Sequence, residues 1–131
     1  MPTTFTLTQA QELVPWLQKT FDTIQQLRVS LADSGQEVYW KSMQMRSNGV
    51  EKAEEEMSQA QKVSQAVEHE FSQLVASIVE RGILIKDVER GLFDFPFMKD
   101  GNLVYLCWVA GEPELRYWHT VDSGFAGRQP L

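Results

Sequence analysis

Through the first 81 residues apolar side chains recur at intervals of three and four, and beyond Gly82 the interval drops to two. Ala10, Leu13, Leu17, Ile24, Leu27 and Leu31 occupy the a and d positions of a heptad, broken only by Thr20, and mark the apolar stripe of a long helix. Thr6-Leu7-Thr8-Gln9 has capping-box form, and Phe5 stands where a hydrophobic staple would meet Ala10. The register continues through Val38 and Met45, past Gly35, which predicts one long interrupted helix ending near Ser47-Asn48-Gly49. A helix closed by Gly35 and followed by a short one is the alternative. A second helix is expected from about Glu51 to Arg81, with Val50, Ala53, Met57, Ala60, Val67, Phe71, Leu74 and Ile78 on its seam and Ser64 the exception. Arg81 and Gly82 would close it with a cation in the last turn and a glycine cap. Two seams joined at Asn48-Gly49 predict an antiparallel helical hairpin. Pro15 lies where the pairing of the two helices runs out, and a kink there would lean residues 7 to 14 onto the C-terminal part of the chain.

After Gly82 the alternation is that of strands. Ile83 to Lys86, Leu92 to Met98, Leu103 to Val109 and Glu114 to Thr120 are the candidates. Asp100-Gly101 is a two-residue hairpin signal, and Gly111-Glu112-Pro113 supplies the next turn. The third strand is apolar on both faces, which places it centrally and requires both faces to be covered. The helical hairpin can cover one; the C-terminal loop or a second subunit must cover the other. The expected fold is α+β: a single domain over residues 1–131, with the helical hairpin in 1–81 and a three- or four-stranded antiparallel sheet and C-terminal loop in 82–131.

Charge narrows the partners. The net charge is -6, with seven basic against eleven acidic residues before Gly82 and five against seven after it, so neither part offers a basic face and nucleic acid is not expected as a partner. There is no apolar run of about eighteen residues and no export signal, so no membrane span is expected and the cytoplasm is the expected compartment. The lone Cys107 agrees with a reducing environment. Seams on both helices lead to the expectation of a homodimer or higher assembly through pairing of hairpins. Tyr39 and Trp40, off the seam near the hairpin tip, could form an exposed aromatic patch.

Several elements taken together resemble a known family. These are Phe5-Thr6-Leu7; Gly82 with Lys86-Asp87; Gly91-Leu92 with Asp94-Phe95-Pro96; Val104-Tyr105-Leu106-Cys107-Trp108; Gly111-Glu112; and Trp118-His119 with Gly124-Phe125 and Gly127-Arg128. In order and spacing they are similar to the bacterial family called domain of unknown function 2203. The resemblance implies a family identity with no assigned activity, substrate or cofactor, so it transfers no residue role. The chain departs from the family pattern at Gln36 to Gly49, which looks longer and more aromatic, and this bears on the hairpin geometry only.

No reaction motif is present, so no catalytic residue and no cofactor are assigned. The candidate ligand-binding residues are Asp94, Trp118, His119, Asp122 and Arg128. An imidazole near a carboxylate can act as a base or a metal ligand, with His119 and Asp122 the weak metal candidates; the plainer reading is a histidine bonded to backbone. Arg128 could hold an anion, or pair internally with Asp87, Asp94 or Asp122 to pin the tail. Asp94 lies between Phe93 and Phe95, where a carboxylate is desolvated unless paired. Cys107 in mid-strand reads as a small core residue and not as a nucleophile. The leading expectation is a non-enzymatic ligand-binding or interaction module with its pocket at the sheet and C-terminal loop. The alternatives are a small hydrolase-like or metal-dependent enzyme, in which His119 oriented by Asp122 or Asp94 acts as base and Arg128 holds an anionic group, and a coiled-coil adaptor.

Overall fold

A computed structural model of the chain describes residues 3–44 and 50–131. Two helices, α1 (Leu7–Gln44) and α2 (Val50–Glu80), come first as a helical hairpin. Five strands come next: β1 (Leu84–Asp87), β2 (Leu92–Lys99), β3 (Asn102–Val109), β4 (Tyr117–Thr120) and β5 (Gln129–Pro130), with a short 3-10 turn at Phe125–Gly127 before the last. The architecture is α+β, as the change of period predicts. α1 is unbroken at both Pro15 and Gly35. α2 stops at Glu80, so Arg81 lies just beyond its last turn and stacks its guanidinium 4.0 Å from the Trp16 ring. The expected turn at Asn48-Gly49 and the side chains of Tyr39 and Trp40 lie outside the described residues. Among the described residues no helix is long and apolar enough to cross a membrane.

Two compact units divide the chain, Met1–Asp22 with Ala76–Leu131 and Thr23–Val75. In the second unit the heptad seam is visible in burial. Ile24 and Ala60 are buried and Leu27, Leu31, Ser64, Val67, Phe71 and Leu74 half-buried, while Val63, Glu68, His69 and Glu70 are exposed.

In the first unit, the capping box forms as the sequence predicts. The Thr6 N–H donates to Gln9 Oε1 at 2.9 Å, and the Gln9 N–H donates to Thr6 Oγ1 at 3.1 Å. Phe5 sets its ring edge-on to Phe95 at 5.3 Å, and its N–H donates to the Pro96 carbonyl at 2.8 Å. That bond explains how β2 tolerates a proline. In a strand the N–H and C=O of one residue point to the same edge, and at Pro96 that edge is no longer paired with β1. The missing donor costs no ladder bond, and the entering chain takes up the carbonyl.

The sheet is antiparallel throughout, in the order β1-β2-β3-β4-β5. It therefore has five strands where three or four are expected. The additional one pairs Gln129 with Trp118 and Pro130 with Tyr117, and the Leu131 N–H donates to the Arg116 carbonyl at 2.8 Å. Asp100 and Gly101 take φ of 52° and 82°, the left-handed pair that a two-residue hairpin turn requires, and they fix the register with Lys99 opposite Asn102. The inner face of the sheet carries Phe93, Phe95, Leu106 and Trp108, all fully buried. Phe21 of α1 meets Phe93 edge-on at 6.0 Å. Two glutamines of α1 satisfy backbone donors of the β3–β4 connection: Gln11 Oε1 accepts from the Leu115 N–H at 2.9 Å and Gln18 Oε1 from the Gly111 N–H at 2.7 Å. Contact with the sheet thus continues past Pro15 to Phe21, and is not confined to residues 7 to 14.

Candidate functional site: a buried ionisable cluster on the outer sheet face

Register decides which side chains meet. With Lys99 opposite Asn102, counting back along the ladder sets Asp94 opposite Cys107, and the next ladder sets Tyr105 opposite His119. Alternation then puts Asp94, Tyr105, Cys107 and His119 on the outer face, away from the phenylalanine layer. Lys86 joins them through an irregularity. Ile85 pairs with Phe93 and Asp87 with Leu92, leaving Lys86 as the bulged residue, its ammonium 5.6 Å from the Tyr105 ring.

His119 Nε2 lies 3.0 Å from Asp94 Oδ2, with the two side chains 4% and 3% exposed. The other ring nitrogen, Nδ1, lies 2.8 Å from the Thr120 carbonyl. A carbonyl can only accept, so Nδ1 carries a proton and donates it. The Nε2 contact is a hydrogen bond only with a proton between the partners, either as imidazolium with carboxylate or as imidazole with carboxylic acid. The third member is Cys107, 2% exposed and directly opposite Asp94 in the ladder. Burial pushes its thiol up to about 12, helped by the Asp94 charge and opposed by Arg128. Ligand atoms of Asp94, Cys107 and His119 all lie within 4.8 Å of one another.

The cluster is not sealed in a packed core. It forms the floor of a cavity of about 170 Å³, walled by Leu92 and Tyr105 and roofed by Val121, Gly124 and Phe125 of the C-terminal loop. The loop starts from a reciprocal turn, with the Thr120 N–H donating to Ser123 Oγ and the Ser123 N–H to Thr120 Oγ1. Arg128 fastens its far end. Nη2 donates to Glu112 Oε1 at 2.7 Å and to the Cys107 carbonyl at 3.3 Å, and the guanidinium lies 4.1 Å from the Tyr117 ring. Glu112 also accepts from the Val109 N–H at 2.6 Å, and its carbonyl accepts from Trp108 Nε1 at 2.9 Å.

Of the residues singled out by sequence, Asp94 and His119 come together. Arg128 lies close by, bound to Glu112 and not to Asp87, Asp94 or Asp122. Asp122 is exposed and outside the cavity lining. Trp118 alternates to the other face, where Lys99 lies 5.1 Å from its ring. Sequence reasoning missed Cys107 as a member of the group, and Lys86, Tyr105 and Phe125 as its walls. The signal for Cys107 was present: a two-residue turn at Asp100-Gly101 fixes Asp94 opposite it. For His119 the connection after β3 is too long for such counting.

Fold and cluster define a class: an α+β protein in which a helical hairpin precedes an antiparallel sheet whose outer face holds a carboxylate, a thiol and an imidazole under a C-terminal loop. The chain belongs to the uncharacterized conserved protein family DUF2203, whose model matches residues 3–131. No curated protein and no solved structure matches it.

Proposed function

We propose that the protein is a non-enzymatic, cytoplasmic binding module that holds a small ligand on the outer sheet face, above Asp94 and His119. The observation that carries this reading is an ionisable pair, 3% and 4% exposed, placed against a cavity. Desolvating a carboxylate and an imidazole lowers stability relative to an apolar filling, and a ligand gives that arrangement a use. At about 170 Å³ the cavity is smaller than the roughly 300–1,000 Å³ of pockets for drug-sized molecules, so the ligand is an ion or a molecule of few atoms. A hydrolase-like role has less support. Both ring nitrogens of His119 are engaged, one by the Thr120 carbonyl and one by Asp94, which leaves neither to take a proton from water or substrate.

Self-association belongs to the same reading. Leu27, Leu31, Val67, Phe71 and Leu74 are only half-buried, and pairing two hairpins into a four-helix bundle is the usual way to complete such seams. A coiled-coil adaptor would use the same stripe. Native mass spectrometry of untagged protein, purified without chelator, tests the binding reading. A retained mass beyond the chain is the expected result, and a bare chain contradicts it.

A further inference from the structure

The geometry points to a site for a thiophilic divalent transition ion of the zinc class, ligated by Asp94 Oδ2, Cys107 Sγ and His119 Nε2, with its fourth position open to the cavity under Phe125. This rests on the binding reading above and names its ligand. Three observations carry it.

The first is the donor set. Thiolate, imidazole and carboxylate together favour zinc and its neighbours over magnesium or calcium, which take oxygen ligands. The second is spacing. Atoms bound tetrahedrally at zinc–ligand distances lie about 3.3–3.7 Å from one another. Here His119 Nε2 and Asp94 Oδ2 are 3.0 Å apart and no pair in the trio exceeds 4.8 Å, so side-chain adjustments of about an ångström bring all three into range. The third is the support behind the imidazole. Zinc-bound histidines donate their second N–H to a carbonyl or carboxylate, which fixes the ring and its tautomer, and His119 already donates Nδ1–H to the Thr120 carbonyl at 2.8 Å. Each ligand also sits on a strand, two on facing positions of β2 and β3 and one on β4, so the backbone holds the tripod in place. Without the ion, protons on the thiol and between the other two groups occupy the space a cation would take.

Three protein ligands and an open position are the coordination pattern in which zinc keeps a water or an exchangeable ligand. The cavity supplies room for one at that position.

The test uses the full chain freed of metal and titrated with cobalt(II), whose visible bands report tetrahedral geometry and whose near-ultraviolet charge-transfer band reports a thiolate ligand. Expected are one ion per chain, both band types, and displacement by one equivalent of zinc. Cys107→Ser should lose the charge-transfer band, and Cys107→Ser and Asp94→Asn should each weaken binding by more than about 100-fold, since even residues behind the ligands are worth 10–100-fold. Both are near-isosteric, and circular dichroism checks that they fold. No stoichiometric binding, or an unchanged spectrum in Cys107→Ser, overturns the metal site. If native mass spectrometry then finds an organic mass on the chain, the binding reading survives without it; a bare chain removes both.

Discussion

At the scale of single residues, the outer face separates groups that anchor from groups that wait for a partner. Arg128 anchors. Its bonds to Glu112 and the Cys107 carbonyl tie the last turn of chain to the β3–β4 connection, and Arg128→Ala should cost about 1–3 kcal/mol in denaturant unfolding. A loss well under that would free Arg128 for a ligand. Cys107 gives a pH prediction for the metal-free protein. The thiol is raised from 9.0 to about 12, mainly by burial, so the folded state holds its proton more tightly than the unfolded chain does. Its contribution is therefore fully present below pH 9.0 and is lost as pH rises towards about 12. Comparing wild type with Cys107→Ser across that window, the wild type should lose stability faster. Parallel pH curves would contradict the assigned burial. Below the window the native thiol should resist an alkylating reagent until the protein unfolds.

Among elements, the turn at Asp100-Gly101 and the start of β2 fix the site. Gly91 has φ of 74°, and a Cβ there would lie 2.6 Å from the Ala110 Cβ and 2.9 Å from the Phe21 ring. Gly91→Ala should then destabilise by more than about 1 kcal/mol, read as a fall in melting temperature, through both strain and collision. An unchanged melting temperature would contradict the close approach. Much of this scale was legible in sequence. Heptads gave both helices, Thr6 and Gln9 gave the cap, and alternation gave four of the strands to within three residues at their ends. Thr20 breaks the sequence pattern yet is buried on the seam. β5 was not legible, because Gln129-Pro130 is two residues long and a proline reads as a breaker unless the strand is known to be an edge. Trp118, His119 and Asp122 looked like one group for being close in sequence, but neighbours along a strand face opposite ways. Asp94, distant in sequence, is the actual partner of His119 because pairing, and not proximity along the chain, sets contacts in a sheet.

For the whole molecule, assembly and the purpose of the buried pair are both open to measurement. Light scattering at micromolar concentration should report a dimer or larger if the half-buried seams complete one another, and a clean monomer would leave them as features of one chain. The division of labour between stability and binding is the central claim. A buried carboxyl–imidazole pair held for packing and one held for a ligand look alike in a static structure but differ when replaced. Removing one partner, as in His119→Leu or Asp94→Val alone, leaves an uncompensated buried polar group and should cost about 3–5 kcal/mol in either case. The decisive measurement is the unfolding free energy of the double variant Asp94→Val/His119→Leu in urea. If the pair exists to bind, the double variant should match the metal-free wild type or exceed it by about 1–4 kcal/mol, because an apolar filling avoids the desolvation that the pair incurs. A loss close to the sum of the two single variants would contradict the account and make Asp94–His119 a structural anchor.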